Sequence, residues 1–251
     1  MTTDGAPNSP RGPRPRSGDL PFEATRHFDR LHEAGWLAVG AGRAITDTVP
    51  ADGGRWGMAI VLRPTGAAAR RMGELAEEAA VVAGPEQWPT GADTVGHVTV
   101  RALEPFRDQS RRDWKRETRF AELLSLAAAE AGPVRLAFAG LSLSPATVFV
   151  RAHSPDGSAE VLRRAIADAF TDDLEATGFV RDPVWYLTLV HFTAQPADHE
   201  RLISWVEARR NLELGEVLLE RVELCRYDFD GRVMRPGTIA AIGLGKARGQ
   251  R

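Results

Sequence analysis

Two strings of one form, His97-Val98-Thr99-Val100 and His191-Phe192-Thr193-Ala194, lie 94 positions apart, and each ends a stretch with the composition of a β-strand. In a strand, successive side chains point to opposite faces, so a histidine and a threonine two apart project side by side. Each string then offers one titratable ring and one hydroxyl to a common space. On two facing strands, two imidazoles and two hydroxyls would surround one small anion, which is what phosphodiester chemistry demands. A lone strand histidine is more often a half-buried structural residue, so the weight rests on the pair and its context.

What must position the strings is itself repeated. A strand-like run Gly57 to Leu62 and a helical run Thr65 to Val82 precede the first; a run Ala146 to Val150 and a helical run Ser158 to Thr177 precede the second. Gly57 lies 40 positions before His97, and Ala146 lies 45 before His191. The spacing predicts a strand, helix, His-x-Thr strand unit used twice. Helical spacing of Met72, Leu75, Ala76 and Ala79 stops at Gly84-Pro85, a termination signal. A helix from about Arg111 to Ala131, carrying Trp114, Phe120, Leu123, Leu124 and Ala127, stops at Gly132-Pro133. Alternation through Val134, Leu136 and Phe138, broken near Ser144-Pro145, predicts a hairpin with the run to Val150. Strand Trp185 to Ala194, a helix through Leu202 and Val206 to about Asn211, and strands Val217 to Tyr227 and Thr238 to Leu244 around an Asp230-Gly231 turn complete the order. Strands clustered around helices without a regular βαβ rhythm predict an α+β fold with mainly antiparallel sheet.

The chain has 251 residues, 43% apolar and 26% charged, as an ordinary water-soluble domain does. Residues 1–20, rich in Pro, Gly, Ser, Asp and Arg, cannot offset the entropy of ordering and are expected to be a disordered tail. Residues 21–53 form an N-terminal extension with a short helix through Phe28, Leu31 and Trp36, in which His27 and His32 are surface or packing residues. The main domain spans 54–245, and 246–251 is a basic tail. Apolar runs fall short of the ~18 residues of a membrane span, and no apolar signal region follows the N-terminal basic residues. Cys225 is the only cysteine, so the expectation is a cytoplasmic protein without disulfides, with Cys225 structural in an alternating apolar run. A net charge of −2 argues against gripping extended duplex nucleic acid through many phosphates. Arginine outnumbers lysine 30 to 2, supplying planar phosphate donors where they are wanted.

On these residues the chain resembles the two-histidine (2H) phosphoesterase superfamily, which includes the bacterial 2′-5′ RNA ligase and RNA 2′,3′-cyclic phosphodiesterase proteins and is marked by two His-x-Thr/Ser-x strand motifs. The resemblance covers roughly Arg55 to Gly245. It implies a bilobal, pseudo-two-fold fold: two mainly antiparallel sheets with outer helices and the motifs facing across a central cleft. It implies His97 and His191 as the catalytic acid/base pair, with Thr99 and Thr193 donating to phosphate oxygens. Imidazole can give or take a proton near neutral pH. Arg101, placed by alternation on the face of His97 and Thr99, and Tyr186, upstream of His191 beside Trp185, are the candidate substrate contacts. Gly96 before the first histidine and the small Ala194 depart from the family pattern. No His-x-His, His-Glu-x-x-His or aspartate cluster stands in the sequence, so no metal and no cofactor is expected.

The leading expectation is a monomeric, metal-independent phosphodiesterase acting on nucleoside or RNA 2′,3′-cyclic phosphate ends, with reversible 2′-5′ RNA ligation as a companion activity. The alternative is a non-catalytic module binding nucleotides or RNA ends in the same cleft. A third reading, an interaction protein in which the strings are accidental, predicts that the two rings lie apart.

Overall fold

The computed structural model describes residues 22–49, 56–92, 94–104, 112–171 and 184–245. The expected tails, residues 172–177 of the expected fourth helix and the Arg111 start of the third lie outside them. Among the described residues the elements run α1 (Phe22–Gly40), β1 (Trp56–Leu62), α2 (Gly66–Ala83), β2 (Val98–Ala102), α3 (Trp114–Glu130), β3 (Val134–Leu143), β4 (Thr147–His153), α4 (Ser158–Ala169), β5 (Trp185–His191), α5 (His199–Glu207), β6 (Glu213–Leu219), β7 (Arg221–Phe229) and β8 (Met234–Gly243). No described helix is long and apolar enough to cross a membrane.

Every strand pairing is antiparallel, in the order β6-β3-β4-β5-β2-β1-β7-β8. The repeated units are real: β1-α2-β2 and β4-α4-β5 take equivalent places on either side of the β2–β5 seam. The α+β class stands, but the two expected sheets are two half-sheets joined into one. Their seam carries one matched pair, Val98↔Leu187, whereas β4 and β5 pair from Thr147↔His191 to Ala152↔Trp185. A second correction concerns the expected strand Val217 to Tyr227, which is two strands. β6 runs into β7 through Glu220 alone, although the two stand at opposite sides of the strand order. One residue reaches only a few ångströms, so the sheet curves until these ends meet, and the Leu244 amide on β8's side donates to the Glu220 carbonyl at 2.9 Å.

One face of the sheet is covered by helices over a single apolar core. α2 buries Met72, Leu75, Ala76 and Ala79 on it, as their spacing predicts, with Leu189, Val190 and Phe192 in the same cluster. Full burial of each of the larger ones, Met72, Leu75, Leu189, Val190 and Phe192, is worth about 1.5–3 kcal/mol. The other face of β1 carries a smaller cluster of Ala59, Val61, Trp88, Cys225, Tyr227 and Met234. Burial there pushes the Cys225 thiol up.

The N-terminal extension is packed against β3 and β4. Its helix α1 buries Phe28 and Val39, while Trp36, expected on the apolar stripe, is 47% exposed. Gly35 takes the packing face instead: a Cβ there would stand 2.7 Å from the Leu143 carbonyl carbon, so the helix axis comes closer to β3 than a side chain allows. Gly40-Ala41-Gly42 ends the helix as a turn, with Gly42 at φ +63°.

Candidate active site

His97 immediately precedes β2, and His191 is the last residue of β5. Both line one cavity of about 500 Å³ at the seam, together with Thr99, Thr147, Thr188, Tyr186 and Tyr227. Lining one cavity speaks against the accidental reading, which puts the rings far apart. Antiparallel continuation of Val98↔Leu187 sets His97 across from Thr188 and Thr99 across from Tyr186.

The loop before His97 explains Gly96. It packs so tightly that a Cβ at Gly96 would lie 2.9 Å from the Gly91 carbonyl oxygen, and its amide donates to the Ala92 carbonyl at 2.6 Å. His97 Nδ1 faces the Val95 carbonyl at 2.9 Å. A carbonyl only accepts, so Nδ1 carries the proton and Nε2 is left with its lone pair. Tyr227 Oη donates to that Nε2 across 3.2 Å, its ring tilted over the imidazole at 5.4 Å between centroids.

His191 is held differently. Its main chain bridges to Trp88 in both directions, at 2.9 and 3.1 Å, and Thr147 pairs with it on β4. Its Nδ1 lies 2.6 Å from Asp47 Oδ2. Nδ1 is buried without a well-aligned hydrogen-bond acceptor, so the carboxylate meets it off the N–H axis, as an ion pair when the ring is protonated. Beside it, the Ser144 and Thr147 hydroxyls lie 2.8 Å apart.

Two sequence expectations change. β5 ends at His191 rather than at Ala194, because Phe192 turns fully into the core and the segment Glu86 to Trp88 takes over the partners of the chain. The Thr193 hydroxyl donates to the Glu86 carbonyl, its amide donates to Gln87 Oε1 at 3.0 Å, and it does not line the cavity. Arg101 also leaves the face assigned to it. Val61 pairs with Thr99 but Ile60 with Arg101, a bulge that makes Val100 an extra residue and shifts the alternation by one. Ala102 then lines the cavity, while the Arg101 guanidinium lies 5.7 Å from the Phe170 ring centroid. Tyr186 does line the cavity, its ring 5.2 Å from that of Phe149. Trp185 is buried in the core.

Among the described residues no arginine or lysine lines the cavity, and its carboxylates are Asp47 and Glu104. Glu104 is spoken for: it accepts from the Met58 amide at 3.2 Å and lies 3.5 Å from Arg116. Among the described residues the histidines are therefore the groups of the cavity able to carry positive charge toward a bound anion. No group of three or more His, Cys, Asp or Glu suited to a metal occurs among the described residues. Sequence reasoning missed Asp47, Ser144, Thr147, Thr188 and Tyr227. Of these only Tyr227 carried a signal, its place in the alternation from Val222; the others reach the site through strand pairing and a strap with no periodicity.

No family model matches the sequence, and no curated protein matches it. Solved structures do. LigT of Escherichia coli complexed with 3′-AMP is 14% identical, with a TM-score of 0.55 over 76% of this chain and 98% of that one. A Thermus thermophilus protein is 16% identical, with a TM-score of 0.53 over 76% of this chain and 100% of its own. A structure described as a phosphoesterase matches at 14% identity and a TM-score of 0.53, over 76% and 99%. LigT complexed with phosphate matches at 14% and 0.51. The chain therefore has the fold of LigT, the fold that its two His-x-Thr motifs imply.

Proposed function

We propose that the protein is a phosphodiesterase that opens nucleoside or RNA 2′,3′-cyclic phosphates by two-histidine acid/base catalysis, with 2′-5′ ligation as the same ring opening by a 5′-hydroxyl in place of water. The observation that carries this reading is that His97 and His191, from equivalent units of the fold, line one cavity with Thr99 between the half-sheets. Its size suits a nucleotide-sized ligand. The structural neighbour LigT, complexed with 3′-AMP and with phosphate, supports the ligand class.

Hydrolysis needs a base on one side of phosphorus to take a proton from water and an acid on the other to protonate the departing ribose oxygen. Two imidazoles meet both needs if their surroundings differ, and here one ring is backed by a carbonyl and a phenol, the other by a carboxylate. Phosphoryl transfer otherwise asks for positioning and charge neutralisation. Thr99 and a protonated histidine supply these, and the hydroxyl-bearing Ser144, Thr147 and Thr188, which line the same cavity, are the candidates for a second set of donors. Both proton transfers use the chain's own groups.

Turnover of nucleoside 2′,3′-cyclic monophosphates in EDTA tests the reading. The wild type is expected to turn over, with His97→Ala and His191→Ala each slower by ~10²–10⁴-fold. Activity untouched by either substitution would overturn it. One observation favours the non-catalytic alternative: the Thr193 hydroxyl is held by Glu86 rather than offered to the cavity. Calorimetric binding of nucleotides beside flat kinetics across a cyclic phosphate panel would decide for that module.

A further inference from the structure

The N-terminal extension, which lies outside the repeated units, is built into the site. After α1, residues 44–47 cross the open ends of β4 and β5 as a strap. The Ala44 amide donates to Gln195 Oε1 and the Ala44 carbonyl accepts from Gln195 Nε2, both at 2.8 Å. The Ile45 amide donates to the Pro145 carbonyl at 2.8 Å, and the Asp47 amide to the Phe192 carbonyl at 2.7 Å. The strap is thus tied to the β3–β4 hairpin that carries Ser144 and Thr147, and to the residue following His191. α1 is tied down as well, through Asp29 to Arg210 at 3.0 Å and His32 to Glu207 at 2.6 Å.

We propose that Asp47 is the positioning residue of His191, and that the extension is thereby part of the catalytic apparatus; this rests on the two-histidine reading above. The ring nitrogen that carries the proton is set by what faces the other one. A carboxylate 2.6 Å from Nδ1, although off the N–H axis, repels a bare lone pair there, so the neutral ring keeps its proton on Nδ1. Nε2 then keeps its lone pair for the reacting proton, as on His97, where the Val95 carbonyl faces Nδ1 and Nε2 accepts from Tyr227. The two halves reach one chemical end by different means: a carbonyl two residues away in the first, a carboxylate brought by the extension in the second. The titratable groups facing the rings are Asp47, Glu104, Tyr186, Tyr227 and the histidines themselves. Of the two carboxylates, Glu104 is engaged by Met58 and Arg116, whereas Asp47 meets a ring.

The test is side-chain ¹H–¹⁵N correlation of the full chain, with His191 assigned by its loss in His191→Gln, set beside kinetics on a cyclic nucleotide. The wild type is expected to show neutral His191 protonated on Nδ1. Asp47→Asn and Asp47→Ala should shift it to the Nε2-protonated form that free imidazole favours while leaving His97 unchanged. kcat should fall about 10- to 100-fold with KM nearly constant, and Asp47→Glu should recover part of it. An unchanged His191 tautomer in the folded Asn variant, or an unchanged kcat beside an active wild type, overturns the assignment. If the wild type turns over no phosphodiester, the tautomer still decides whether Asp47 positions the ring. Failure of the functional reading and failure of this one are therefore told apart.

Discussion

The unit β1-α2-β2 ends in a histidine whose support is local, while the unit β4-α4-β5 ends in one whose support comes from outside the repeat. His97 leans on Val95 of its own loop and on Tyr227 of β7; His191 leans on Trp88 and Asp47. Thr99 faces the cavity, and its counterpart Thr193 secures the chain to Glu86. The fold is repeated but the site is not symmetric. Such inequality is what a reaction with one acid and one base requires, since identical surroundings would leave both rings competing for the same role.

The sharpest way to break this comparison is to remove the rings together. His97→Ala, His191→Ala and the double variant should each lose ~10²–10⁴-fold in kcat, with the double scarcely worse than the weaker single, because groups that act as a unit are not additive. Multiplying losses would mean that the rings contribute independently and do not act as a unit. The threonines come next. Thr99→Val should cost about 1.5–3 kcal/mol of transition-state stabilisation, roughly ten- to a hundredfold in kcat/KM. Thr193→Val should leave kcat/KM within a few fold and instead lower the thermal midpoint; equal kinetic losses would restore the symmetric site. Tyr227→Phe removes one neutral hydrogen bond to His97, about 1 kcal/mol or roughly fivefold in kcat/KM, with no effect on the His191 tautomer.

The smallest effect is on stability. Burial first, then Arg210, holds the His32 pKa below its usual 6.5, against the pull of Glu207. A lowered folded value means the folded state binds fewer protons, so its contribution is present above pH 6.5 and is lost as pH falls through the folded value. Melting curves between pH 7 and 5 should therefore show α1 loosening on acidification. His32→Gln should flatten that slope.

The repeated units, the histidines and the antiparallel α+β class were legible because periodicity of 2 and 3.6 survives within each element. What periodicity cannot carry is where a strand stops or slips. The apolar pattern resumes at Val222 after only Glu220 and Arg221, so the break at Glu220 does not show as a turn without the pairing of β6 to β3 and of β7 to β1. Arg101 looked cavity-facing until the bulge at Val100 turned it toward Phe170. Thr193 matched the motif, but Phe192 entered the core and the strand ended. Asp47 had no local signature, because its meaning lies in a strap held by Pro145, Phe192 and Gln195, all far along the chain.

The central claim is that His97 and His191 serve one phosphate. Titrating the protein with a nucleoside 2′-monophosphate while following both imidazole ¹⁵N signals tests it without relying on turnover. The account predicts that both rings shift with one common midpoint, and that Thr99→Val weakens that midpoint for both alike. Response of a single ring, or two distinct midpoints, would contradict it.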